Sequence, residues 1–81
     1  MSSISEIEAK EKEAKRKKET RQAMERTIEE AKWNMYAEKW DLAEKQLQEA
    51  RDEAVTLRDK SKIDEILELL VKCKNEQKVE L

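Results

Sequence analysis

Residues 40–57, WDLAEKQLQEARDEAVTL, decide how the rest of the chain is read. The apolar residues Trp40, Ala43, Leu47, Ala50, Ala54 and Leu57 recur at intervals of three, four, three, four and three, which lines them up along one side of an α-helix. A helix with such a stripe has to bury it against a partner. Upstream, Met24, Ile28, Ala31 and Met35 follow the same rule and predict a first core helix from about Thr20 to Ala37. Downstream, Ile63, Ile66, Leu67, Leu70 and Cys73 form the buried face of a last helix, which Leu69 and Val71 widen until it is apolar on most sides. A helix that apolar is expected to be central or to touch more than one neighbour. Alanines 31, 43, 50 and 54 allow close approach of the helix backbones, and Trp40, Leu47, Leu57, Ile63, Ile66, Leu67 and Leu70 supply bulk.

The expected fold is all-α: a small antiparallel three-helix bundle, a helix-turn-helix plus one helix, over residues 22–78. A charged, partly frayed helical arm precedes it over residues 1–21. The joints are the weakest part of the pattern. A turn near Glu38 is favoured by Asp41 and Glu44, acids that suit a helix N-terminus, and by the change of apolar phase after Met35. One unbroken helix from Thr20 to Leu57 is the alternative, because no Gly or Pro stands there. The central helix is expected to end near Arg58, with Asp59 to Ser61 as connector, and Ser61 with Asp64 resembles a capping box for the last helix. Asn75 to Leu81 are expected to unravel.

Composition narrows the reading further. The 81 residues contain no Gly and no Pro, so no turn needing a positive φ is expected, and the chain should be close to all helix. In the arm, Ser5 is placed to cap a helix begun by Glu6, and Glu6/Lys10, Glu8/Lys12, Glu11/Lys15 and Glu13/Lys17 each set an acid four residues before a base, the order that supports a solvated helix. Lys15, Arg16, Lys17 and Lys18, with Arg21, are candidate phosphate contacts or a nuclear-import signal. Against that stands the plainer reading of a charge-balanced helix surface, since no base-stacking aromatic lies among them. The net charge of −2 gives no overall attraction to polyanions.

The chemistry of most enzymes is missing. There is no His, which removes the commonest general base and imidazole metal ligand. One cysteine gives no zinc or iron-sulfur spacing, and no Gly gives no phosphate-cradling loop. The expectation is therefore no enzyme, no cofactor, no metal and no small-molecule substrate. No apolar run is long enough to span a bilayer and no apolar signal-peptide core opens the chain, so no membrane role is expected. A lone Cys73, read as a small core residue, fits a reducing cytoplasmic setting, with the nucleus open if the basic run acts as a signal.

Trp40, Ala43, Leu47 and Ala50 stand at the spacings of the second helix of a tetratricopeptide-type repeat, and Ile63, Ile66, Leu67 and Leu70 at those of a following first helix. The chain over about residues 24–73 thus resembles that family, with Leu67 where a small residue is usual and without the turn glycine and terminal proline. The resemblance implies a peptide-binding concave face. No carboxylate-clamping lysine and asparagine set is recognisable, so no binding residues are carried over.

The expected role is a small interaction or assembly module that presents an apolar helical surface to another protein or to itself, as a homodimer. Trp33, Tyr36, Val55, Leu69 and Val71 are its candidate contact residues, because they lie at or beyond the edges of the stripes that three helices need. The alternative is a nucleic-acid-associated regulator that works through the Lys15–Arg21 arm. A de novo designed bundle would also lack Gly, Pro and His, but the irregular placement of Trp33, Asn34 and Cys73 and the ragged first 20 residues favour a natural origin.

Overall fold

The computed structural model describes residues 4–78; the fraying expected of Met1 to Ser3 and the unravelling expected of Val79 to Leu81 lie outside the described residues. Three helices follow in order, α1 (Ile4–Tyr36), α2 (Trp40–Thr56) and α3 (Lys60–Lys78), with no strand among the described residues. The charged arm and the first core helix are a single unbroken helix. Helix α1 already starts at Ile4, so Ser5 lies inside it and does not cap a helix begun at Glu6. Helix α3 likewise runs through Asn75 to Lys78, where unravelling was expected.

The core forms where the three-four spacing places it. Met24, Ile28, Ala31 and Met35 of α1 meet Ala43, Leu47, Ala50 and Ala54 of α2, and Ile66, Leu70 and Cys73 of α3 complete the cluster. Trp40, Leu57, Ile63 and Leu69 pack partly buried around it. Full burial of a side chain such as Leu47 or Ile66 stabilises the fold by about 1.5–3 kcal/mol. Helix α2 packs against both of its neighbours, whereas α1 and α3 approach each other only sparsely. The centre is thus α2, not α3 with its apolar run over residues 66–71, and Leu67, expected in the core, stands exposed beside Val71 on the outer side of α3.

Side chains reinforce this arrangement. The Asn34 amide donates to Gln46 Oε1 at 2.7 Å across α1 and α2, and the Gln77 amide donates to Glu44 Oε2 at 2.9 Å across α2 and α3. Arg21 pairs with Asp59, and Lys32 pairs with Glu65 at 3.3 Å, which sets α3 alongside α1 and parallel to it.

Both joints are closed by the same device. At the first, the Glu38 N–H donates to the Met35 carbonyl at 3.0 Å and the Lys39 N–H to the Asn34 carbonyl at 2.8 Å; at the second, Arg58 donates to Val55 and Asp59 to Ala54, each at 3.0 Å. This reciprocal pair of bonds is a Schellman cap, and it needs a left-handed residue at its centre. Glu38 with φ 63° and Arg58 with φ 55° supply it, so the expectation that no positive-φ turn occurs is overturned. The last residue of each cap also opens the next helix: the Lys39 and Asp59 carbonyls accept from Ala43 and Ile63 at 3.0 Å. The Asp59 carboxylate further accepts the Lys62 N–H at 3.2 Å. Asp59, rather than Ser61, is therefore the N-cap of α3. The Arg21 hydrogen bond, helped by the Lys62 N–H, holds the Asp59 carboxyl below the usual carboxylate range.

A side chain bearing Cβ costs about 1–2 kcal/mol in the left-handed region, while glycine loses about 0.5–1 kcal/mol more than alanine to conformational freedom. Glu38→Gly and Arg58→Gly are each expected to stabilise the fold, by up to about 1 kcal/mol from that difference. Circular-dichroism melts check this, and a lowered midpoint for both variants would contradict the two caps.

A candidate docking surface at the aromatic end

Helix α1 ends in residues that its core stripe does not use. Trp33 and Tyr36, three positions apart, meet edge to face with ring centroids 6.4 Å apart and planes at 79°. They remain 69% and 85% exposed. Tyr36 stands between two hollows. One is a shallow, open recess over Glu29, Lys32, Trp33 and Tyr36 on the face of α1. The other, of about 260 Å³, opens between α1 and α3 and is lined by Lys32, Met35, Tyr36, Trp40, Leu69 and Lys72.

The fold assembles this surface from all three helices. The first Schellman cap turns the chain so that Trp40, the first residue of α2, returns beside Met35. Helix α3, packed on α2, runs alongside α1, where Lys32 reaches Glu65, and this brings Leu69 and Lys72 to the same place. The three aromatic residues of the chain, Trp33, Tyr36 and Trp40, therefore share one surface with a mostly apolar floor and lysines at its rim.

Of the residues singled out in the sequence, Trp33, Tyr36 and Leu69 come together here. Val55 and Val71 are exposed elsewhere, on α2 and α3, and line neither hollow. Sequence reasoning missed Met35, Trp40, Lys32 and Lys72 as members. Met35 and Trp40 carry a signal only for the core, which they also serve, and the lysines carry none until α3 is placed beside α1.

The basic run has a different geometry. Lys15, Arg16, Lys17 and Lys18 are exposed, but consecutive helical residues point about 100° apart, so they encircle the helix instead of forming one phosphate-binding face. Lys17 also reaches Glu13 at 3.5 Å, and Arg21 is engaged by Asp59.

Among the described residues no polar or charged residue is buried, and no group of three or more His, Cys, Asp and Glu is placed to hold a metal ion. Cys73 is fully enclosed, and burial, followed by the nearby Glu44 charge, pushes its thiol up from the ordinary range. Among the described residues no helix is long and apolar enough to cross a membrane. Comparison with protein-family models, with curated proteins and with solved structures found no match to this chain.

If the exposed aromatics are spare to the fold, Trp33→Ala and Tyr36→Ala should change stability by no more than about 0.5 kcal/mol. Trp40→Ala, which uncovers the core, should cost about 2–3 kcal/mol. Urea titrations of the three variants measure the contrast, and equal losses at all three positions would show that Trp33 and Tyr36 belong to the core.

Proposed function

We propose that the chain is a small non-enzymatic protein-protein interaction module that docks its partner, another protein or a second copy, on the surface around Trp33, Tyr36, Trp40 and Leu69. One observation carries this reading: two large aromatic side chains stand in solvent beside an apolar hollow that the three-helix core does not need. Trp and Tyr are the residues most often found at the energetic centre of protein interfaces, because they bury much area for little lost side-chain freedom. The lysines at the rim supply selectivity for an acidic counterpart and faster encounter more than binding strength.

The reading extends to a tetratricopeptide-like use of the hairpin, supported by the spacing of Trp40, Ala43, Leu47 and Ala50, and to a cytoplasmic setting, supported by the single buried thiol of Cys73. The phosphate-contact reading of the arm takes second place, because its cations are spread around the helix and Arg21 is occupied.

A photo-crosslinking residue placed at Trp33, with a second variant carrying it at the exposed Arg51 of α2 as control, tests the proposal in cells. Discrete adducts with one protein, or with a second copy of the chain, are expected at position 33 and should vanish when Tyr36→Glu is added. Equal adducts from both positions would refute a docking role for this surface.

A further inference from the structure

Tyr36 divides two recesses of unlike charge. The hollow between α1 and α3 is lined by Lys32 and Lys72 and by no carboxylate, whereas the open recess on the outer face of α1 has Glu29 beside Trp33 and Tyr36. Lys32 lines both, but its ammonium donates to Glu65 of α3 at 3.3 Å, so a carboxylate from outside the open recess offsets its charge. Glu29 is exposed, stands one helical turn before Trp33 and makes no ion pair among the described residues. Arg26 lines only the adjoining recess, together with Glu25 and Glu29. Two carboxylates there serve one resident guanidinium, and Glu29 keeps capacity for a second.

The rings of Trp33 and Tyr36, with planes at 79°, form adjoining walls of the open recess. Aromatic faces are electron-rich, so a group seated between these walls and against Glu29 meets two π systems and a carboxylate. That setting favours a cation and disfavours an anion.

We infer that the partner seats an arginine in this recess, with its guanidinium flat on Trp33 beside Tyr36 and its N–H groups donating to the Glu29 carboxylate. The openness of the site selects arginine over lysine. With Trp33 and Tyr36 at 69% and 85% exposure, nothing encloses a bound group, and a compact ammonium would surrender strong hydration for little return. A guanidinium is planar and weakly hydrated, stacks on an aromatic face, and still directs donors sideways to a carboxylate. On the other side of Tyr36, Lys72 stands over the apolar hollow. A partner carrying an arginine on one side of Tyr36 and an acidic residue on the other therefore matches both recesses.

This inference rests on the interaction reading and names the chemistry its partner brings to Trp33. The full-length chain, labelled with ¹⁵N, is titrated with a blocked leucine-arginine-leucine tripeptide and with its citrulline counterpart, which keeps the shape without the charge. The backbone amide signal of Tyr36 reports binding, and the Trp40 indole signal reports an intact fold. The arginine peptide should bind about five- to tenfold more tightly than the citrulline one, as one exposed cation–π contact and one exposed ion pair combine. Trp33→Leu and Glu29→Gln should each cut that preference to about two- or threefold. An arginine peptide that binds no better than the citrulline one, or not at all, overturns the inference, as does a preference that both variants leave unchanged. Tighter binding of a glutamate counterpart would assign the recess to an acidic partner, and sedimentation showing a dimer abolished by Trp33→Leu would assign it to a second copy; either result also overturns it. If position 33 still crosslinks to one protein in cells, the interaction reading stands and only the arginine is withdrawn.

Discussion

The distance between helix backbones along α2 is the constraint that the rest of the molecule satisfies. Ala43, Ala50 and Ala54, with Ala31 opposite on α1, are completely buried, and side chains this small let neighbouring helices approach toward the near end of the usual 8–10 Å range. At that separation the larger residues Met24, Ile28, Met35, Leu47, Ile66 and Leu70 fill the remaining space. Because α2 is narrow on the side facing both neighbours, it can serve them together. A chain of this size buries only about 60% of its unfolded surface, and sharing one central helix is how it gathers a single core.

That sharing explains why the apolar richness of α3 misleads. A helix covered on several sides and a helix with residues left for solvent show the same sequence, and Leu67 and Val71 belong to the second case. The helices themselves and eleven core residues were legible because the three-four period survives in every one of them. The joints were less so. The expectation of no left-handed turn took glycine as its marker, yet Glu38 and Arg58 occupy that region because each is fixed by two backbone hydrogen bonds and by a helix on either side. The N-cap of α3 was misplaced by two residues for a related reason: Asp59 serves as the end of one cap and the beginning of the next helix, a double role that no short motif displays.

The candidate docking surface was legible in part. Trp33 and Tyr36 stand off the stripe of α1, and that alone marks them. Trp40, Lys32 and Lys72 join them only through the turn at Glu38 and the packing of α3 on α2, which lays α3 beside α1.

The account as a whole depends on the chain folding back at Glu38 and again at Arg58, so that α3 returns beside α1. Spin labels at the exposed positions Gln22 and Lys60, introduced in a Cys73→Ala background, measure this return directly. Arg21 and Asp59, their sequence neighbours, are in hydrogen-bond contact, so the folded chain places the labels within about 20 Å, whereas one unbroken helix would hold them about 57 Å apart at 1.5 Å per residue. A short distance between the two labels is the expected result. A long one would show a rod in place of the three-helix core and would contradict the account.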